Sequence, residues 1–296
     1  MTRPSFADQL VALREGRAFV DLSAWRKLAV AGADAGRWLN DLVSAELAGL
    51  GTGGAARSLL LSPTGRVRAE FTVVRLEDRW LLVQDPVQPA AAGDLLEPYV
   101  LSSDVTIEDR TDALSILALP GTAAGPPPAP EAGARVYRPS ALGDGADVVG
   151  GGEAELRAAA GDRIEASAEA VDAWRIERGV ARFGVDLGED ALPHETPLEG
   201  AVSYGKGCFL GQEAVARVRN LGHPPFVVRA VRAEGRPSAG EEVLAGGEPV
   251  GRVTSAASLP EGGTAALVRV RWAARDAGLR TASGTPLVST AAARAR

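Results

Sequence analysis

Residues 204–213 read Tyr-Gly-Lys-Gly-Cys-Phe-Leu-Gly-Gln-Glu. This stretch holds the only cysteine of the chain, Cys208, and one of its two lysines, Lys206. Three glycines within seven residues permit positive φ angles and a close approach of the backbone to a ligand. A lysine and a series of N–H groups beside a thiol favour its thiolate form. From these residues alone, Cys208 is either a reactive thiolate tuned by Lys206 or a small buried apolar side chain.

Composition restricts the class of protein. A chain of 296 residues can form one to three domains, and 46% hydrophobic and 24% charged residues are typical of a soluble globular protein. The net charge of −6 gives no basic face for duplex nucleic acid or an anionic membrane, so we expect neither as a direct partner. One cysteine and two histidines without metal-ligand spacing predict no metal site. The start of the chain lacks an apolar targeting segment, which favours a cytoplasmic protein.

The apolar periodicity predicts an α+β order over about 220 residues, followed by short strands to the end of the chain. Strands are predicted at residues 19–22, 27–31, 58–62, 67–76, 80–84, 105–108 and 114–119. Helices are predicted at residues 33–43, 89–101, 153–160 and 166–177. A proline-rich loop is expected at residues 120–130. Strands at residues 227–232, 242–244, 250–254 and 266–272 suggest a small antiparallel barrel or sandwich.

An acidic residue, Glu177, falls in the last turn of the predicted helix 166–177, just before a glycine suited to its C-cap, Gly179. A negative charge is unfavourable there because the helix dipole is negative at its C-terminal end. Glu177 therefore has either a specific partner or full solvation between two arginines, Arg175 and Arg178.

A resemblance to a known family rests on these motifs. Residues 206–213, Lys-Gly-Cys-Phe-Leu-Gly-Gln-Glu, resemble the signature K-G-C-[aromatic or aliphatic]-x-G-Q-E of the YgfZ family. This family is related to the glycine-cleavage T-protein (aminomethyltransferase) and includes mitochondrial iron–sulfur assembly factors. Further similar segments are residues 21–23, 27–32, 34–35, 39–42, 59–65, 174–179, 182–184, 195–197 and 250–255.

The resemblance implies an α+β, T-protein-like arrangement of three domains around a central folate site. Residues 1–225 would form the folate-binding core, made of two interleaved α+β subdomains. Residues 226–296 would form a C-terminal antiparallel β-barrel. The expected cofactor is tetrahydrofolate or a derivative.

The same resemblance implies roles for individual residues. Cys208 and Lys206 would be catalytic, with Cys208 acting as a transient thiolate. Contacts to the folate are expected from Glu177, Gln212, Arg217 and Glu70. Glu177 matches the Glu that hydrogen-bonds the pterin edge in this superfamily. A carboxylate suits this task because it accepts hydrogen bonds from two donors.

Departures from the T-protein pattern decide between branches of the superfamily. T-proteins carry two consecutive acidic residues after the glycine of the β-meander. Here residues 66–70 read Arg-Val-Arg-Ala-Glu, so Glu70 is the one acidic residue that could take their place. Gln212 replaces an arginine, and Cys208 is gained.

The first hypothesis is a YgfZ-like folate-binding protein that supports assembly or repair of iron–sulfur clusters. Its partners would be client proteins or the assembly machinery, with an indirect effect on tRNA modification. The second is a folate-dependent aminomethyltransferase that uses Glu70. The third is a binding module without turnover.

Overall fold

A computed structural model describes residues 4–121, 134–143 and 145–290, and within these ranges the strands form two five-stranded sheets and a closed barrel of six strands. Both sheets precede the barrel in the chain, and the strands of the second sheet are inserted between those of the first. The α+β class and the antiparallel barrel at the C-terminal end are confirmed.

The first sheet contains β1 (Ala18–Asp21), β7 (Ser115–Pro120), β8 (Arg135–Tyr137), β9 (Gly145–Gly150) and β10 (Ile164–Glu165). Its order is β10-β1-β7-β9-β8, and β1 runs parallel to β10 while the other pairs are antiparallel. One face packs on the helix that follows β9 through apolar side chains, among them Phe19, Leu117 and Leu156. The predicted loop at residues 120–130 lies outside the described residues from residue 122 onward.

The second sheet contains β2 (Arg26–Ala31), β3 (Ala55–Leu61), β4 (Val67–Arg75), β5 (Trp80–Gln84) and β6 (Thr106–Asp109). It is antiparallel, in the order β3-β4-β5-β2-β6. The meander β3-β4-β5 is the one predicted from residues 58–84. Alternate side chains of β4, namely Val67, Ala69, Phe71 and Val73, are buried as the alternation predicts.

The barrel contains β11 (Phe226–Ala233), β12 (Glu242–Ala245), β13 (Glu248–Ser258), β14 (Thr264–Arg271), β15 (Leu279–Thr281) and β16 (Pro286–Ser289). It closes because β16 pairs with β11, Val231 facing Ser289. Branched side chains such as Val243, Val253 and Val268 fill its interior. Strand β11 begins at Phe226, and the division of the chain into domains at residue 225 stays a prediction.

The α-helices are α1 (Phe6–Arg14), α2 (Ala35–Leu42), α3 (Ala92–Leu96), α4 (Glu153–Ala160), α5 (Ala168–Glu177) and α6 (Gln212–Leu221). Gly179 follows α5 with φ of +74° and donates its N–H to the carbonyl of Ile176 at 3.0 Å, as expected for a glycine that ends a helix.

The prediction of one continuous helix over residues 89–101 is wrong. Helix α3 ends at Leu96 and a 3-10 turn, Glu97–Tyr99, follows. Pro98 lies in this turn and lacks the N–H that a further α-helical turn requires. Leu101, with φ of +44°, then takes the chain out of helical geometry.

Candidate functional site

A cavity of about 2020 Å³ lies where the two sheets, helix α5 and the barrel meet. Its wall includes several aromatic rings, among them those of Trp25, Phe71, Trp174, Phe183 and Trp272. Polar and charged side chains interrupt these apolar surfaces. A large concave surface with apolar walls and a few converging polar groups is the usual form of a small-molecule site.

One wall of the cavity carries Glu70, on strand β4. The Nε of Arg57, on the neighbouring strand β3, donates to Oε1 of Glu70 at 2.6 Å. The side-chain amide of Gln88 holds the backbone of Glu70, since Gln88 Nε2 donates to Glu70 O at 2.7 Å and Glu70 N donates to Gln88 Oε1 at 2.9 Å. All three residues line the cavity. The carboxylate is thus fixed in place, with its charge balanced by a guanidinium.

A second ion pair in the cavity wall joins Asp85 and Arg182. Asp85 directly follows β5 and is 7% exposed. Two guanidinium nitrogens of Arg182 donate to its carboxylate, Nε to Oδ2 and Nη2 to Oδ1, the second at 2.8 Å. The hydrogen bonds to Asp85 raise the pKa of Arg182. The sequence interpretation assigned neither residue to the site. The signal was present, because Asp85 follows a strand that is apolar up to Gln84.

A third group of polar side chains in the wall consists of His194, Tyr204 and Arg219. The hydroxyl of Tyr204 and Nε2 of His194 are 3.0 Å apart. The guanidinium of Arg219, on α6, lies over the ring of Tyr204 at 3.9 Å from its centroid. Tyr204 is the first residue of the glycine-rich stretch 204–213. Neither His194 nor Arg219 was predicted to belong to the site.

Lys206 is buried, at 7% exposure, beneath the loop that carries the cysteine. Its ammonium donates to the carbonyl oxygens of Asn40, Val43 at 2.8 Å and Ala45 at 2.7 Å, which belong to the C-terminal part of α2 and the segment after it. Burial lowers the pKa of Lys206 to about 8. Within the described part of the chain, these hydrogen bonds join the loop to α2 and the segment after it, and none is made to the thiol of Cys208.

Cys208 is exposed, so the interpretation of this residue as a buried apolar side chain is wrong. It is not among the described residues that line the cavity. The loop after it packs closely on the turn between β3 and β4. Gly211 has φ of +80°, and a Cβ there would lie 2.4 Å from the carbonyl oxygen of Ser62. The glycine therefore serves a close backbone contact that any side chain would prevent.

Glu177 has specific partners within the protein. Its carboxylate accepts two hydrogen bonds from Arg14, both at 2.9 Å, and one from Arg232 at 2.6 Å. The interpretation of a fully solvated Glu177 is therefore wrong. Glu177 is absent from the described lining of the cavity, and its expected folate contact stays a prediction.

Gln212 and Arg217 are on helix α6, outside the described lining of the cavity. Gln212 is the first residue of the helix, and its backbone N–H donates to the carbonyl of Phe209 at 3.2 Å. Arg217 is exposed. On this helix it is Arg219, two residues later, that reaches the cavity wall. The folate contacts expected for Gln212 and Arg217 stay predictions.

Two other kinds of site are absent from the described residues. In the described part of the chain, no group of three or more His, Cys, Asp or Glu side chains has the geometry of a metal site. Among helices formed by those same residues, none combines the length and apolar character needed to cross a bilayer.

The fold and sequence are similar to those of known proteins. Residues 2–126 match the family model described as the GCVT N-terminal domain. An aminomethyltransferase of Streptomyces avermitilis is 28% identical over 294 residues, covering 86% of this chain and 77% of that protein. One from Thermus thermophilus is 29% identical over 288 residues, covering 86% and 80%.

A solved structure agrees in fold. The crystal structure of the glycine cleavage system aminomethyltransferase T from Bartonella henselae matches with a TM-score of 0.80. That match covers 98% of this chain and 90% of that chain, at 21% identity. The chain is thus similar to the GCVT N-terminal domain over residues 2–126 and to aminomethyltransferases in sequence, and it shares the fold of that solved aminomethyltransferase T.

Proposed function

We propose that this protein binds tetrahydrofolate or a derivative in the central cavity and acts as a YgfZ-like accessory factor for iron–sulfur proteins. The observation that carries the folate proposal is the cavity itself, with its aromatic walls and fixed hydrogen-bonding groups. A reduced folate has a bicyclic ring system with a planar pyrimidinone half and several donors and acceptors, so it needs both kinds of surface.

The residues of the cavity wall fit such a ligand. Trp174 and Phe71 offer apolar surface for a ring, while Glu70 and Asp85 offer carboxylate oxygens as acceptors. The bound folate would supply a carrier for one-carbon groups. Glu177 would have to leave Arg14 and Arg232 to reach the ligand, so Glu70 is the stronger candidate among the expected contacts.

The accessory role rests on the separation of Cys208 from the cavity. An exposed thiol outside the described cavity wall is accessible to another protein, and it is poorly suited to chemistry on a folate enclosed in the cavity. Iron–sulfur clients or the assembly machinery are the proposed partners, with the thiolate as a redox group or as a contact for sulfur or a cluster. An effect on tRNA modification would be indirect, through iron–sulfur enzymes that modify tRNA.

The alternative is a folate-dependent aminomethyltransferase. The matched relatives named aminomethyltransferase favour it, as does the carboxylate of Glu70 in the cavity wall. Two observations weigh against it: the tandem acids are missing, and Glu70 is engaged by Arg57.

The two functions predict opposite effects of two substitutions. Cys208→Ser and Glu70→Gln are each expressed in cells that lack the protein, and the activity of iron–sulfur enzymes is measured at equal protein abundance. The accessory role predicts that Cys208→Ser fails to restore these activities. Full complementation by Cys208→Ser with loss of function in Glu70→Gln would instead favour the transferase.

A binding module without turnover makes a third prediction. Bound folate would be recovered chemically unchanged after incubation with a client protein and reductant, as measured by mass spectrometry. Conversion of the folate to a different one-carbon form would exclude this possibility.

A further inference from the structure

A second cleft, of about 650 Å³, lies beside the second sheet and shares none of its described lining residues with the central cavity. It is bounded by α2, the segment after α2 and the hairpin between β4 and β5. Three arginines line this α2 cleft, Arg37, Arg75 and Arg79, together with one acidic residue, Asp78. The charged residues of its lining therefore sum to a positive charge.

Two of the three arginines are paired with carboxylates. Arg79 donates from Nε to both carboxylate oxygens of Asp78, at 3.0 Å each. This hydrogen bond, helped by the nearby charge of Arg75, lowers the pKa of Asp78. Arg37 lies 3.5 Å from Asp34, at the start of α2. Arg75 differs, because no carboxylate of the described residues lies within 4 Å of its guanidinium.

Arg75 and the first turn of α2 meet at the indole ring of Trp80. The guanidinium of Arg75 lies over this ring, 4.8 Å from its centroid, which holds the cation and leaves its N–H groups free to donate. A Cβ at Gly36 would lie 3.4 Å from Nε1 of the same ring. Arg75 and the start of α2 therefore lie on either side of one anchored side chain.

The indole N–H of Trp80 has no hydrogen-bond acceptor among the described residues, although the residue is only 6% exposed and lines the α2 cleft. By contrast, the indole N–H of Trp38 donates to the carbonyl of Tyr99 at 2.8 Å. Nearly buried donors are almost always paired, so the unpaired one indicates an acceptor that enters the α2 cleft.

The first turn of α2 adds backbone donors. Its N-cap residue, Asp34, makes no side-chain capping hydrogen bond, and Oδ2 of its carboxylate instead accepts from the backbone N–H of Asp104 at 2.9 Å. The backbone N–H groups of Gly36 and Arg37 have no acceptor in the described part of the chain. The positive end of the helix dipole lies here as well, so this turn favours an anion.

We propose that the α2 cleft binds a phosphate group, held by the guanidinium of Arg75, the indole N–H of Trp80 and the N–H groups at the start of α2. Arginine forks and helix N-termini both match phosphate oxygens, and hydrogen bonds to a charged acceptor are the stronger kind. The phosphate is either the free ion or part of a small monoester. This site does not depend on the folate of the proposed function.

Strand β4 provides a matched control. Arg68 lies on the same strand as Arg75, its side chain is 42% exposed, and it is not among the described residues that line either the α2 cleft or the central cavity. Replacement of either arginine by Met removes one positive charge from β4. A general effect of net charge would be equal in the two variants, whereas the proposed site would be weakened in one alone.

The experiment follows the indole N–H resonances by ¹H–¹⁵N NMR during titration with inorganic phosphate and, separately, with glycerol 3-phosphate. Chloride holds the ionic strength constant. Loss of one resonance in Trp80→Phe assigns the signal of Trp80. We expect this signal to move downfield and to saturate with at least one probe, because its N–H gains a charged acceptor. The probe that saturates it at the lower concentration identifies the free ion or the monoester.

The variants test the other donor. Arg75→Met should raise the phosphate concentration at half-saturation about tenfold, as expected for the loss of one charge-assisted contact, and Arg68→Met should match the native protein. Equal effects of the two arginine substitutions would overturn the proposal, as would a signal of Trp80 that neither probe moves or that chloride moves equally. Shifts confined to the signals of Trp25, Trp174 and Trp272 would place the phosphate in the central cavity and also overturn it.

Discussion

Replacement of Lys206 by Met tests whether its buried ammonium group holds the glycine-rich loop, residues 204–211, in place. The substitution removes the ammonium group and leaves three carbonyl oxygens, those of Asn40, Val43 and Ala45, without their donor in a region that is almost inaccessible to water. Each buried acceptor left unpaired costs about 1–3 kcal/mol, and removal of a charge that was costly to bury offsets part of this sum. We expect a net loss of about 3 kcal/mol in the free energy of unfolding, or roughly 6–12 °C in melting temperature.

Urea denaturation and calorimetry of the native protein and Lys206→Met measure this loss, and Arg217→Met is the control for removal of an exposed cation. The same samples also distinguish a lysine that only positions the loop from one that tunes the thiolate of Cys208, the role that the resemblance implied for Lys206. If Lys206 only positions the loop, the midpoint of the pH profile of Cys208 alkylation by iodoacetamide will be the same in both proteins. Native stability in Lys206→Met together with a displaced midpoint would refute this reasoning.

Two further substitutions test buried charges. Burial raises the pKa of Asp147 from 3.8 to about 6, so the stability that its carboxyl group contributes is present below pH 3.8 and lost as the pH rises through 6. Asp147→Asn should therefore match the native protein near pH 4 and exceed its free energy of unfolding by roughly 3 kcal/mol near pH 7.5, and a difference independent of pH in urea denaturation would contradict this. Arg269→Met leaves the fully buried carboxylate of Glu195 without the donor that now lies 2.8 Å away, and should cost about 3–5 kcal/mol in the same assay. A loss under 1 kcal/mol would show that this ion pair is dispensable.

Local pattern was sufficient for much of the fold. The alternation in β4 and the turn before Val67 predicted the meander, because the side-chain period of a strand depends only on neighbouring residues. Regular Gly-rich spacing likewise predicted strands of the barrel. Strands β8 and β10, with three and two residues, were missed because so short a segment has no measurable period. Their pairing depends on tertiary contacts.

The site was harder to predict than the fold. The sequence drew attention to Cys208 and Lys206, but their spacing along the chain says nothing about the direction of a lysine side chain. The ammonium of Lys206 donates to the carbonyl oxygen of Asn40, which is 166 residues away in the chain. The sequence showed no metal-ligand spacing for the two histidines, and it did not indicate that Nε2 of His194 lies 3.0 Å from the hydroxyl of Tyr204. Contacts between distant segments follow from the fold, and residue types alone do not encode them.

The central claim is that the cavity binds a reduced folate. Three of the cavity-lining residues are tryptophans, Trp25, Trp174 and Trp272, so binding can be followed by their fluorescence. Titration of the native protein with tetrahydrofolate under anaerobic conditions is the most direct measurement. The account predicts a saturable change at one ligand per chain. No saturable binding of tetrahydrofolate or of its 5-formyl, 5-methyl and 5,10-methylene derivatives would contradict it.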